Sequence, residues 1–257
     1  MTKIIFSDFD NTMLDYYSDN NYFDDYKINV LKRVQNKGIK LGIVTGRCVS
    51  FFNQFPNLLE VVDYIAGSNG ACIYDVKNDK YIYQDVIEEE DFRSIVDWAY
   101  KYNIYFLLNC MGKRYRFGTW DVSNCEIYSK DKDYSCEQII LSVNKEIIKE
   151  VFAYLDNLKS IKINNISYWE NRCTIDINNK IVSKGRAVTW LCNHLNIEVK
   201  DTMAFGDGDN DKSMFEVVDK GLAVGNAIDK LKVMSNDVAL SCDENGIYKY
   251  MEDKFLK

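Results

Sequence analysis

A chain of 257 residues with one histidine, one proline and no Cys-x-x-Cys pair lacks the groups on which several common chemistries depend. The lone histidine, His194, falls within a stretch of helical spacing and reads as a packing or surface residue. Chemistry that needs a His-paired nucleophile or a His-rich metal site is thereby nearly excluded. The eight cysteines, at positions 48, 72, 110, 125, 136, 173, 192 and 242, lack the spacing of a zinc site and read as reduced, mostly buried thiols. No run is long and apolar enough to span a bilayer, and the N-terminal Met-Thr-Lys-Ile-Ile lacks the pattern of a signal peptide, so a cytoplasmic protein is expected. Positive charge is not in excess either. The formal net charge of -7 argues against nucleic acid or an anionic membrane as a partner. It leaves small phosphorylated ligands open, because local charge governs those.

What is present is an alternation of strand and helix signals. Residues 3 to 7, Lys-Ile-Ile-Phe-Ser, form a short apolar run of the kind covered on both faces of a sheet. Ile28, Leu31 and Val34 recur at helical spacing, with Gly38 placed to end that helix, and a second strand is expected over 39–44. Further strands are expected at 64–66, 71–74 and 81–83, and, after residue 184, at 202–205, 222–224 and 238–240. Such alternation implies α/β architecture with a parallel sheet. The middle breaks the rhythm: helical stripes near 92–100 and 147–158 mix with short strands near 104–108, 138–143, 161–163 and 172–177. The segment from Gln84 to Val182 therefore reads as an inserted α+β layer, with 1–83 and 183–257 forming the core. No linker rich in Pro, Gly or Ser appears, and no internal repeat.

Four fragments carry candidate chemistry: Asp8-Phe9-Asp10-Asn11-Thr12, Thr45-Gly46-Arg47, Lys184, and Gly206-Asp207-Gly208-Asp209-Asn210-Asp211. Three follow predicted buried strands, so their loops open onto one edge of a parallel sheet, and Lys184 begins a helix. Asp8 and Asp10, two residues apart at a strand end, converge on one point and repel each other unless a cation is bound. With Asp207 they offer hard oxygen ligands suited to Mg2+ rather than zinc. Thr45 supplies a hydroxyl, Gly46 an accessible backbone N–H and Lys184 a compact positive charge. That inventory matches a bound phosphoryl group. Asp207, Asp209 and Asp211 also fit the first ligand positions of an EF-hand, but Lys212 stands where that loop needs Gly and Val218 where it needs Glu, so that reading fails.

The fragments together resemble the haloacid dehalogenase (HAD) superfamily, and within it the Cof-like, subfamily IIB sugar-phosphatase branch. Asp8-Phe9-Asp10-Asn11-Thr12 resembles that family's Asp-x-Asp-Gly-Thr loop, and Thr45-Gly46-Arg47, Lys184 and the 206–211 run resemble its three later motifs. Gly67-Ser68-Asn69-Gly70-Ala71 and Val182-Ser183-Lys184-Gly185 resemble turns typical of the branch. The resemblance implies a HAD-like (Rossmannoid) parallel sheet with helices on both faces and an inserted cap governing specificity. It implies Asp8 as nucleophile and metal ligand, Asp10 as general acid/base whose backbone carbonyl reaches the metal, Asp207 as the third protein ligand, and Asp211 as either a further metal contact or a support behind the ligands. It implies that Thr45, Gly46, Lys184, Asn210 and the Phe9 backbone hold the phosphate, that Thr12 orients the loop, and that Arg47 touches the phosphate or leaving group. Asn11 replaces the family's Gly, and a left-handed conformation is expected there.

The expected activity is Mg2+-dependent hydrolysis of small phosphomonoesters, such as sugar phosphates, through an aspartyl-phosphate. A phosphomutase on the same elements and a non-enzymatic binding protein on a HAD scaffold are the alternatives. In the insertion, Tyr102, Tyr105, Phe106, Tyr115, Phe117, Trp120 and Tyr168 are open to stacking on a sugar ring, though packing is the commoner use.

Overall fold

The computed structural model describes residues 1–15, 22–119 and 125–257, so Trp120 lies outside the described residues. The chain divides into two compact units, Met1–Ile82 with Ser183–Lys257, and Tyr83–Val182.

The N-terminal apolar run forms β1 (Ile4–Ser7), enclosed at every residue. Helix α1 (Asp25–Gln35) starts where the Asp24 side chain accepts the Lys27 N–H at 2.8 Å, and Gly38, at φ +81°, turns the chain into β2 (Lys40–Val44). The one proline opens a single helical turn, α2 (Pro56–Leu59), where its missing N–H costs nothing. Strands β3 (Tyr64–Gly67), β4 (Cys72–Asp75) and β5 (Lys80–Gln84) complete this segment.

The second unit runs α3 (Glu89–Lys101), β6 (Tyr105–Cys110), β7 (Lys113–Phe117), β8 (Glu126–Ile127), β9 (Gln138–Asn144), α4 (Ile148–Leu155), β10 (Ile161–Tyr168) and β11 (Arg172–Asn179). Its sheet has the order β10-β11-β9-β6-β7-β8, antiparallel except for the β7–β8 pair. Alternate strand residues, among them Phe106, Leu108, Ile139, Leu141, Ile175 and Ile177, pack under Phe92, Ile95 and Val96 of α3 and Val151 and Leu155 of α4. The residues between them, Asn109, Gln138 and Asn178, point to the other face. Phe106 and Tyr115 belong to this core, whereas Tyr102 and Tyr168 are exposed.

The chain then returns to the first unit through α5 (Lys184–Leu195), β12 (Thr202–Gly206), α6 (Lys212–Phe215), β13 (Lys220–Ala223), α7 (Asp229–Met234), β14 (Asp237–Val238) and α8 (Gly246–Met251). The completed sheet has the order β14-β13-β12-β1-β2-β3-β4-β5, and the first six of these strands are parallel. Helices cover both faces. Leu31 of α1 and Met251 of α8 gather over Ile5 and Ile43. On the opposite face, a Cβ at Gly221 would meet the ring of Phe215 from α6 at 2.6 Å. Strand β1 lies at the centre, with Ile4 opposite Lys40 on one side and Thr202 on the other. The winding direction reverses there, and such a switch point opens a crevice beyond the carboxyl ends of the strands.

Candidate active site

The loop leaving β1 is held from several sides. The Asp8 N–H donates to the Phe205 carbonyl at 2.9 Å, extending the β1–β12 ladder by one residue. Phe9 is fully buried, its ring packed among Phe23, Phe51, Phe52 and Phe55. Asn11 takes the left-handed conformation, φ +58°, and its N–H donates to the Leu14 carbonyl at 2.8 Å. Asparagine thus serves where the family pattern has glycine. The Asn226 amide donates to the Asn11 carbonyl at 2.8 Å and fixes the turn.

Lys184 reaches this loop because two glycines let the start of α5 come close. A Cβ at Gly70, φ +92°, would lie 2.6 Å from the Ser183 carbonyl, and one at Gly185 would lie 2.0 Å from the Ser213 carbonyl. The Ser183 hydroxyl caps the helix by accepting the Arg186 N–H at 3.1 Å. Lys184 Nζ is thereby buried between two carboxylates, 2.5 Å from Asp8 Oδ1 and 2.6 Å from Asp211 Oδ1. The other oxygen of Asp211 accepts the N–H groups of Asp207 and Gly208, both at 2.9 Å. A Cβ at Gly206 would sit 2.7 Å from Asp211, so a side chain there would push this carboxylate out of place. Thr12 Oγ1 donates to Asp207 Oδ1 at 3.2 Å.

Asp8, Asp207 and Asp211 each offer an oxygen within 4.8 Å of the others. Three carboxylates facing one ammonium leave an excess of negative charge in a buried place, and the titration of the groups reflects it. Burial above all, with Asp211 and Asp207 adding repulsion, pushes the Asp8 carboxyl well up against the pull of Lys184. Burial and the Asp211 charge push Asp207 up to about 6. For Lys184, burial alone would favour the neutral amine, but the Asp211 and Asp8 charges outweigh it and raise its pKa. All three acids donate hard oxygen, and a divalent cation would cancel the excess, so the residues fit a site for such an ion.

A second group of predicted residues gathers beside the first. Thr45, fully buried, accepts the Arg47 N–H on its hydroxyl at 3.1 Å. Its carbonyl accepts the N–H of Asn69 at 2.8 Å, and the Asn69 side-chain oxygen accepts from Asn210 Nδ2 at 3.3 Å. A Cβ at Gly46 would come to 3.3 Å from the same Asn69 oxygen. Asn69 therefore ties Thr45, Gly46 and Asn210 together, from a buried position in the left-handed region at φ +62°. Sequence reasoning gave it no role. The Asn-Gly pair at 69–70 was the available signal, because asparagine and glycine together mark a backbone of positive φ.

Asp10 and Arg47 form a third group. Arg47 Nε donates to Asp10 Oδ2 at 2.9 Å and Nη2 to Oδ1 at 2.7 Å. Asp10 is not one of the three converging carboxylates, and Arg47 faces an acid where the resemblance implied a phosphate or leaving group. His194 stacks on Trp190 at the exposed side of α5, with ring centroids 4.9 Å apart. All eight cysteines are free thiols.

The profile of the haloacid dehalogenase-like hydrolases matches residues 5–251 of this chain. The chain belongs to that family. It is 30% identical over 253 residues to a putative phosphatase of Buchnera aphidicola subsp. Baizongia pistaciae, covering 88% of each chain. It is 26% identical to a 5-amino-6-(5-phospho-D-ribitylamino)uracil phosphatase of Bacillus subtilis, covering 99% of this chain and 98% of the relative. Among solved structures, a Geobacillus kaustophilus protein superposes with a TM-score of 0.84 at 23% identity, with both chains covered completely. A HAD subclass IIB sugar phosphatase superposes with a TM-score of 0.79 at 23% identity over 98% of each chain. This HAD-family hydrolase thus has the α/β fold expected from its sequence.

Proposed function

We propose that the protein is a Mg2+-dependent phosphatase of small phosphomonoesters that works through an aspartyl-phosphate on Asp8. The observation that carries this reading is the buried Asp8 carboxylate, 2.5 Å from Lys184 Nζ and within reach of Asp207 and Asp211. Asp8, Asp207 and Asp211, with the Asp10 carbonyl, are the groups that would hold Mg2+. When bound, the ion supplies charge neutralisation for the phosphoryl oxygens and for the carboxylates themselves.

The chain's own residues do the rest. An Asp8 oxygen attacks phosphorus in line with the leaving oxygen, forming the acyl phosphate as the ester P–O bond breaks. Lys184, Thr45, Gly46 and Asn210 hold the phosphoryl oxygens, and Lys184 stabilises the charge that develops on them. Asp10 gives a proton to the leaving alcohol, then takes one from the water that opens the acyl phosphate. That acid/base role accounts for about 10²–10⁴-fold of the rate. Substrate choice is assigned to the Tyr83–Val182 unit. The relatives' names point to phosphorylated sugars and a phosphorylated ribityl compound as the first substrates to try.

The test is phosphate release by pure protein from a panel of sugar and ribityl phosphates, with Mg2+ and with EDTA. Release that requires Mg2+ and disappears in Asp8→Asn is expected. Release that persists in Asp8→Asn would refute the reading, as would the absence of Mg2+-dependent release from every ester.

A further inference from the structure

Arg47 and Asp10 form a closed fork. Two guanidinium N–H groups, Nε and Nη2, meet the two carboxylate oxygens at 2.9 and 2.7 Å, a geometry that fixes the plane of the carboxylate as well as its position. Arg47 is itself braced. Its guanidinium lies over the Phe51 ring, 4.5 Å from the centroid. Phe51 packs edge-on against Phe9, the residue between the two aspartates, at 5.8 Å. The Arg47 backbone is pinned on both sides, its N–H on Thr45 Oγ1 at 3.1 Å and its carbonyl on the Ser68 N–H at 2.8 Å. One aromatic cluster therefore supports both the loop that carries Asp10 and the arginine that grips it.

From this geometry we infer that Arg47 is a positioning residue, which orients the Asp10 carboxylate for proton transfer to the leaving oxygen. A carboxylate has about four lone-pair sites, so each Asp10 oxygen keeps one free while the fork is in place. Asp10 lies in the loop after β1, where its one backbone pairing among the described residues is the bridge to Leu14. The fork restrains its side chain. The inference rests on the role proposed for Asp10 above.

The experiment compares two substrates whose leaving groups differ in their need for an acid. An alkyl phosphate such as a hexose phosphate requires protonation of the departing oxygen, whereas p-nitrophenyl phosphate leaves readily without it. For Arg47→Ala, the rate of leaving-group release in a single turnover, the step before the acyl phosphate common to both esters is hydrolysed, should fall about 10²-fold on the alkyl ester, the lower end of what a general acid contributes. On p-nitrophenyl phosphate it should change by less than about threefold, and KM should move little for either ester. Arg47→Lys, which keeps the charge but loses the fork, should show the same pattern in weaker form. Added guanidinium should restore part of the alkyl-ester rate to Arg47→Ala. In 15N-labelled protein, the Arg47 Nε–H should give a protected resonance that disappears in Asp10→Ala, a readout independent of turnover.

Equal losses on both esters with a raised KM would overturn the inference and make Arg47 a phosphate-binding residue. No loss on either ester would make the fork a surface ion pair of no consequence. Asp10→Asn separates this inference from the reading it rests on. If Asp10→Asn discriminates between the esters and Arg47→Ala does not, only the inference fails. If Asp10→Asn does not discriminate, the role of Asp10 fails and the inference with it.

Discussion

The two units of this chain bury polar groups in different ways. In the unit built on the parallel sheet, the buried polar residues at the strand ends are charged: Asp8, Lys184 and Asp211, with Thr45 and Asn69 beside them. In the unit Tyr83–Val182 the buried polar side chains are mainly neutral amides, Asn109, Gln138 and Asn178, with Glu137 the one buried carboxylate among its described residues. Asn109 donates to Gln138 at 2.6 Å and Asn178 to the Glu137 carbonyl at 2.7 Å, so the amides tie strands together. Buried like charges cost stability unless a ligand offsets them, whereas the amides bind neighbouring strands together, with Asn109 Oδ1 and Gln138 Nε2 left without a partner among the described residues. The first arrangement suits chemistry, the second scaffolding and recognition.

That contrast is open to attack from both sides. Asp8→Asn should lower kcat by on the order of 10⁴-fold or more, as loss of a covalent nucleophile does, while unfolding of the metal-free protein stays within about 1 kcal/mol of the parent. A variant that kept its rate, or lost several kcal/mol, would place Asp8 among scaffolding residues. Phe106→Ala, in the core of the second unit, should do the reverse and cost about 3–5 kcal/mol in urea denaturation. A smaller loss would mean that the aromatic cluster closes over the gap.

The pH dependence sharpens the same point. The Asp207 pKa, raised to about 6 from the ordinary 3.8, means that the folded metal-free chain binds this proton more tightly than the unfolded chain does. Its contribution to stability is therefore fully present below about pH 4 and is lost as pH rises through 6. Mg2+ competes with that proton, so the increase in Tm on adding Mg2+ should be larger near about pH 7.5 than near about pH 5. A shift independent of pH would separate Asp207 from the ion. The smallest effect is expected for Asn11→Gly. The backbone is already left-handed at φ +58°, and activity should stay within about threefold. A large gain would show that asparagine strains the loop.

Legibility followed the same division. Strands covered on both faces announce themselves as apolar runs, and those expected over 3–7, 39–44 and 202–205 are Ile4–Ser7, Lys40–Val44 and Thr202–Gly206. The second unit was harder to read. Strand β7 went unpredicted because Lys113-Arg114-Tyr115-Arg116-Phe117 alternates cations with aromatics, and only Tyr115 and Phe117 join the core. The two-residue turn before it, Met111-Gly112 at φ +45° and +78°, was the missed signal. Strand β10 was expected to end at residue 163 but runs to Tyr168, because a bulge between Ile163 and Asn165 breaks the alternation that marks a strand. At the site, spacing identified which residues carry charge. It could not give the partners of Asn69 and Arg47, since Asn210 and Asp10 lie 141 and 37 positions away in sequence.

The central position of β1 also dictates an order of events. Its neighbour β12 begins at Thr202, after the whole second unit has been synthesised, and the Tyr248 hydroxyl that latches onto the Met13 carbonyl at 2.8 Å comes later still. Until that distant strand docks, β1 keeps an unpaired edge, and the loop after it lacks the Asp207 and Asp211 carboxylates that follow β12. The carboxylates of Asp8, Asp207 and Asp211 can therefore converge only in a late stage of folding, after β12 has docked beside β1.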